Sequence, residues 1–143
     1  MSEASISYVS AVPDKGDYFA LFETTGWNRE YGRSADQLHE AIRSSWYLLS
    51  AYDEERLVGF GRVISDGVLH ALIVDLIVLP EYQGMGIGSH ILTQLTGRCM
   101  AHRIADVQLF CAKGKAGFYQ KRGFVTRPSD APGMELRSPA GLS

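Results

Sequence analysis

The sequence predicts a mixed α/β domain whose central sheet is mostly antiparallel and flanked by helices. Three β-rich runs between Trp46 and Leu79 follow one another through short polar turns, which is the pattern of an antiparallel meander. A glycine-rich stretch, Gln83 to Gly88, then separates the last run from a segment in which Ile87, Ile91, Leu92, Leu95 and Cys99 recur at helical spacing. Two helical segments precede the meander, and further strands and a short helix follow it. The predicted order is β-α-α-β-β-β-α-β-α-β-β.

Each element has its own local reason. "SISYVSAV" reads as an opening strand, and "PDKGDYFALFETTGW" puts Tyr18, Leu21, Phe22 and Thr25 on one helical face. "SADQLHEAIRSS" begins with Ser34 and has Gln37 three residues on, a capping box, with Leu38 and Ile42 four apart. "WYLLSAYD" and "RLVGFGRVIS" are joined by the charged turn Asp53-Glu54-Glu55. The Asp66-Gly67 pair predicts a tight hairpin into a third run, Val68 to Leu79. That run is almost wholly apolar, as suits a central strand. A helix of about four turns is expected from near Gly88. "ADVQLFC" is another strand, "KAGFYQKR" a short helix stopped by Gly123, and "GFVTR" and "GMELR" a closing pair of strands.

The 143 residues are 45% hydrophobic and 21% charged, which suits one domain, 1–143, with 138–143 as a loose tail. A formal net charge of −2 supplies no basic field for nucleic acid or an anionic membrane, so neither is expected as a partner. The opening residues lack a basic then apolar leader pattern, so a cytoplasmic location is expected. Cys99 and Cys111 read as small buried hydrophobes, and the four scattered histidines show no metal-ligand spacing.

The glycines carry the chemistry. A strand that ends in a loop of minimal side chains and then a helix N-terminus presents unpartnered N–H groups and a positive dipole end, which favour phosphate. Gly84, Gly86 and Gly88 let the backbone approach such a ligand, and Gln83 can add an amide donor. A nucleotide-hydrolysing loop would end in Gly-Lys-Ser/Thr, whereas this one ends Gly88-Ser89-His90. A dinucleotide fingerprint needs G-x-G-x-x-G in a parallel βαβ unit, and here the spacing is G-x-G-x-G after hairpin-linked strands. A pyrophosphate cradle of the coenzyme A type fits, beside the plainer alternative of glycines chosen for tight packing.

"VDLIVLPEYQGMGIGSHILTQL" resembles the cofactor-binding core of the GNAT superfamily of N-acetyltransferases, with Gln83, Gly86 and Gly88 on the positions of its Gln/Arg-x-x-Gly-x-Gly/Ala pattern. "AGFYQKRGF" resembles that family's tyrosine helix and following Gly-Phe, and the element order fits from Ser5 to about Arg137. The resemblance implies acetyl-CoA as cosubstrate, held by the main chain of Ile77 and Val78 in a V-shaped opening and by the loop residues Gln83, Gly84, Met85, Gly86, Ile87, Gly88 and Ser89. It implies that the Val78 N–H polarises the thioester carbonyl and that Tyr119 protonates the departing thiolate; Phe118 and Tyr119 as plain core aromatics are the other reading. Members of the family often form dimers, so a homodimer is among the expectations. The family's asparagine before the tyrosine helix has no counterpart in "CAKGKAG", where Lys113 or Lys115 could meet a phosphate instead.

Asp75 is the odd residue in an apolar strand, since burying an unpartnered carboxylate costs several kcal/mol. Either it faces the substrate cleft as a base or ammonium anchor, or it ties down a neighbouring arginine or amide. His70 and Asp66 are weaker base candidates. On the acceptor side, Trp27, Tyr31 and Trp46 offer aromatic surface and Asp36 or Glu40 a carboxylate, unless all five serve packing and solvation. The ending "FVTRPSDAPGMEL" is similar to small stand-alone GNAT proteins, including plastid-type serotonin N-acetyltransferases. The expectation is therefore an acetyl-CoA-dependent N-acetyltransferase acting on a primary amine, with a non-catalytic CoA-binding sensor module as the alternative.

Overall fold

The computed structural model describes residues 5–137, so the tail expected at 138–143 lies outside the described residues. The chain divides into two compact units, Met1–Leu109 and Phe110–Ser143. In the first, strand β1 (Ile6–Val9) leads to α1 (Lys15–Glu23), the short α2 (Asn28–Tyr31) and α3 (Ala35–Arg43). The meander follows as β2 (Tyr47–Asp53), β3 (Arg56–Ser65) and β4 (His70–Val78), then α4 (Ile87–Ala101) and β5 (Asp106–Leu109). The sheet order is β1-β2-β3-β4-β5, antiparallel throughout except for the parallel β4–β5 pair. The mostly antiparallel sheet flanked by helices is thus the fold.

Local chemistry explains the helices. Ser34 and Gln37 form the full capping box at the start of α3, each side chain taking the other's backbone N–H. Asp14 caps α1 by accepting from the Asp17 N–H at 3.1 Å. The first of the two expected helices ends at Glu23, where the hydroxyls of Thr24 and Thr25 donate back to Leu21 O and Phe22 O, both at 2.7 Å. Such side-chain bonds compete with the helical ladder, and α2 restarts beyond them as an element the periodicity did not show.

The core lies on both faces of the sheet. On one face, Tyr18 of α1 sets its ring edge-on to Phe60 of β3 with centroids 4.8 Å apart. On the other, α4 buries Ile87, Ile91, Leu92, Leu95 and Cys99, each aliphatic side chain contributing about 2 kcal/mol. The approach is close because β3 presents Gly59 and Gly61 to α4. A Cβ on Gly61 would stand 2.7 Å from Ile91 Cγ2 and 3.0 Å from Leu95 Cδ1.

Three details differ from expectation. The Asp66-Gly67 turn is a four-residue loop, 66–69, because Asp66 Oδ1 accepts the N–H groups of Val68, Leu69 and His70 at 2.8, 2.7 and 3.2 Å. Cys99 is buried, but Cys111 is exposed, since it falls in the second unit beyond the end of β5. The closing strands at 123–127 and 133–137 do not form. In the second unit α5 (Ala116–Gln120) is followed by irregular chain, with Val125 and Leu136 87% and 99% exposed. Pro128 and Pro132 remove ladder donors, and a local turn takes the bonds instead, Ala131 N to Pro128 O and Arg127 Nε to Ala131 O.

Candidate active site

β4 is paired on both sides only over its first half. Its parallel ladder to β5 ends at Ile73↔Leu109, whereas its antiparallel ladder to β3 runs on to Gly59↔Val78. From Val74 to Val78 the strand therefore has no β5 partner on its outer edge. Between the register pairs Phe60↔Ile77 and Arg62↔Val74, β4 also carries one extra residue, a β-bulge. Asp75 sits in it at φ +55°, a left-handed conformation rare for a residue with a side chain.

The bulge sets which N–H faces outward. Leu79 N–H donates to Val58 O on β3 at 2.9 Å, so by alternation Ile77 also faces β3 and the Val78 N–H and C=O face the open edge. On the first half of the strand the phase is opposite, since Leu69 O, an odd-numbered group, accepts from Asp106 N–H of β5 at 2.8 Å. The extra residue reverses the phase and turns Val78 outward.

The glycine loop follows directly. A 3-10 turn, Pro80–Tyr82, is fastened to the β2–β3 turn by the Tyr82 hydroxyl donating to Asp53 and by Arg56 paired with Glu81 at 2.8 Å. Gly84 and Gly86 then take φ +81° and +85°. Gly86 is the N-cap of α4 and supplies no side-chain cap, and His90 N–H is the donor that closes the first helical turn on Gly86 O. The N–H groups of Ile87 and Gly88 thus precede the ladder. A Cβ on Gly84 or Gly86 would meet nothing within 4 Å. The residues fit a diphosphate: a bare helix start, positive backbone ends and no side chain in the way. Ile87 itself is buried, while Met85 is exposed and Ser89 partly so. Gln83 turns back, its Nε2 donating to Val78 O at 3.0 Å.

Asp75 is ion-paired. Arg62 Nε donates to its Oδ2 at 2.8 Å, with both side chains largely buried, and Arg62 Nη1 reaches Ala41 O at 3.2 Å and Ser45 Oγ at 3.4 Å at the end of α3. Tyr18 feels both charges of this pair; burial, then the Asp75 carboxylate, push its hydroxyl pKa far up, against a smaller opposing effect of Arg62. The other acid and base candidates have partners elsewhere. Asp66 holds the loop amides, which lower its pKa, and His70 Nδ1 meets Asp106 Oδ2 at 3.0 Å.

On the acceptor side, Trp27 and Tyr31 line a hollow of about 440 Å³ together with Glu23, Thr25 and Glu30. Trp46 is not among them, because it packs edge-on to His102, 5.0 Å between centroids. Asp36 is bound to Lys15 at 2.6 Å, and Glu40 lines a separate groove with His39. In the second unit, Tyr119 on α5 stands edge-on to Phe118 and Phe124, and burial first, then Cys111, raises its pKa. Lys113 and Lys115 are exposed. Among the described residues no cluster of three or more His, Cys, Asp or Glu could hold a metal, and no helix is long and apolar enough to cross a membrane.

Residues 16–124 match the family model described as acetyltransferase (GNAT) family. The chain belongs to the GNAT family. It is 36% identical over 141 residues to GCN5-related N-acetyltransferase 2, chloroplastic, of Arabidopsis thaliana, covering 85% of this chain and 54% of that one. It is 30% identical over 125 residues to serotonin N-acetyltransferase 2, chloroplastic, of Oryza sativa subsp. japonica, covering 85% and 61%. The GNAT family acetyltransferase of Streptococcus pneumoniae superposes with a TM-score of 0.79 at 29% identity, over 94% of this chain and 98% of that one. The chain spans about two thirds or less of the length of the curated relatives it matches.

Sequence reasoning missed two features of the strands beside this candidate site. Arg62 was unremarked because an arginine in an alternating strand reads as solvent-facing, although an acid in the next strand calls for a cation nearby. The Gly59-x-Gly61 pair was also overlooked, though its period of two marks one strand face left bare for α4.

Proposed function

We propose that the protein is an acetyl-CoA-dependent N-acetyltransferase that moves the acetyl group to a primary amine by direct attack while both substrates are bound. The observation that carries this is the succession, within eleven residues, of an unpaired β4 edge exposing Val78 and an uncapped helix start behind left-handed Gly84 and Gly86. An extended pantetheine arm can add to such an edge as a strand would, while a diphosphate takes the helix N-terminus. In this reading Ile77, Val78 and the loop Gln83 to Ser89, Met85 included, hold the cosubstrate. The family match crosses both compact units, which supports treating 1–143 as one acetyltransferase domain.

The chain's residues then have distinct parts. The Val78 N–H supplies a fixed dipole where negative charge develops on the acetyl oxygen. Tyr119, whose raised pKa keeps its proton on at neutral pH, is assigned the proton for the departing thiolate. The arginine contact of Asp75 uses Oδ2, which leaves Oδ1 as base or ammonium anchor. Trp27, Tyr31 and Glu30 suit an acceptor with an apolar body and a cationic amine. The names of two relatives, a serotonin N-acetyltransferase of Oryza sativa subsp. japonica and a histone acetyltransferase of Glycine max, are consistent with either a small arylalkylamine or a protein amino group. A cytoplasmic setting is retained, supported by two free cysteines.

A thermal-shift titration with acetyl-CoA, followed by amine-dependent thiol release, tests the reading. Stabilisation by acetyl-CoA, turnover with amines, and loss of turnover in Tyr119→Phe with cosubstrate affinity retained are expected. Absence of binding at millimolar acetyl-CoA overturns it. Binding without thiol release across a broad amine panel would mark the chain as a CoA-binding sensor module instead.

A further inference from the structure

We propose that Arg62 is a positioning residue for the cosubstrate: through its ion pair with Asp75 it clamps the left-handed bulge that turns the Val78 N–H to the open edge of β4. The proposal rests on the reading that this edge receives acetyl-CoA.

The bulge has no glycine. Gly61 faces it across the ladder, but the residue with φ +55° is Asp75, whose Cβ disfavours that conformation. A strained backbone persists only where its surroundings over-determine it, and here one side chain does so. The Arg62 guanidinium takes Asp75 Oδ2 at 2.8 Å and is itself fixed by Ala41 O and Ser45 Oγ at the end of α3. The clamp therefore ties the bulge to a helix on the same sheet face.

The alternative state of the strand is easily defined. Ironing out the bulge would restore the phase of residues 70–74 through 78, so that the Val78 N–H would face β3 and Leu79 would lose Val58 as acceptor. Side chains beyond the bulge would change faces as well. Leu76, which now lies with Ile91 and Leu95 around the Gly61 site, and Ile77, opposite Phe60, would exchange environments. A slip of one residue thus removes the outward N–H at Val78, and Arg62 holds the register against it.

The test uses Arg62→Met, which keeps the aliphatic stem, and Arg62→Met/Asp75→Gly, in which glycine takes a positive φ without a clamp. Amide exchange of Leu79 is read in the ligand-free protein, and acetyl-CoA affinity by calorimetry. If the bulged phase falls to about a tenth of the molecules in Arg62→Met, affinity drops about tenfold, and Leu79 exchange accelerates by about tenfold or more, because the unbulged fraction rises from a small value to most of the molecules. In the double variant both return to within about threefold of wild type. The proposal is overturned if Arg62→Met leaves Leu79 exchange unchanged, or if glycine at 75 fails to restore it. Should wild type show the expected exchange pattern and not bind acetyl-CoA, the clamp stands and the cosubstrate reading fails. Far-UV circular dichroism on each variant, together with the retained exchange protection of α4 amides, shows that the fold is present.

Discussion

The side-chain amide of Gln83 donates to the main-chain oxygen of Val78 across 3.0 Å, folding the loop entrance back onto the strand end it has just left. Val78 O lies on the same open side as Val78 N–H, so Gln83 gives this acceptor a donor and leaves the N–H for a ligand carbonyl. One amide hydrogen is committed to this bond, and the second remains for an anion. Gln83→Ala is expected to cost about 1 kcal/mol or less in stability, because water can replace the lost donor, and to raise the KM for acetyl-CoA about fivefold. Gln83→Glu, nearly isosteric, places a carboxylate against both Val78 O and a diphosphate, and should cost at least about tenfold in affinity. Calorimetric titration of both variants checks the order; equal effects would show that charge at position 83 is irrelevant.

Gly86 combines a φ of +85° with the N-cap position of α4. An alanine there would clash with no neighbour, because its Cβ would meet nothing within 4 Å. The cost of Gly86→Ala is therefore conformational, about 1 kcal/mol, with Tm lower by about 3–5 °C. The same open space is where a diphosphate would lie, so acetyl-CoA affinity should fall by more than the stability change accounts for. A titration of the variant at a temperature well below its Tm separates the two effects.

Gly61→Ala should act by overpacking instead. Its Cβ would come within 2.7 Å of Ile91 Cγ2, a branched methyl that cannot swing away without turning the whole side chain. A loss of about 1–3 kcal/mol by urea denaturation is expected, with m unchanged. Gly59→Ala should cost less, since its nearest atom, Ile87 Cγ2, stands at 3.0 Å. Because Ile87 begins α4, the second variant is the one in which acetyl-CoA affinity should suffer more than stability.

The meander, the loop and α4 were legible because each announces itself locally: alternation, a charged turn, three spaced glycines, and apolar residues from Ile87 to Cys99 at helical spacing. What stayed hidden depends on pairing. The bulge at Asp75 is a relation between two strands, and nothing in "VDLIV" alone says that two residues oppose one. Asp75 showed that a partner was needed, but only the β3–β4 register identifies Arg62. The C-terminal strands failed for the converse reason. "GFVTR" and "GMELR" have strand composition, yet the intervening Pro128 and Pro132 favour a turn, and composition cannot supply a neighbour to pair with. Trp46 and Asp36 were grouped with the acceptor residues by type, whereas the fold gives them to His102 and Lys15.

Tyr18 gives the clamp region a pH signature. Burial and the nearby Asp75 carboxylate raise its pKa well above that of an unfolded tyrosine, near 10. A group that binds its proton more tightly when folded adds stability that is fully present below the unfolded pKa. That stability is lost as pH rises through the folded value, because the unfolded chain ionises first. Below pH 10 Tyr18 should have no effect on the pH profile. Above it, folding stability should decline by up to about 1.4 kcal/mol per pH unit from this residue alone. In Tyr18→Phe that contribution disappears, while Tyr8, Tyr52, Tyr82 and Tyr119, also raised, keep theirs. Thermal melts of both proteins between pH 8 and pH 11.5 should run parallel up to about pH 10 and diverge beyond it, the variant falling less steeply. Parallel profiles over the whole range would mean that the Tyr18 hydroxyl is reached by water, and that the packing between α1 and the Arg62–Asp75 pair is looser than the 4.8 Å contact with Phe60 implies.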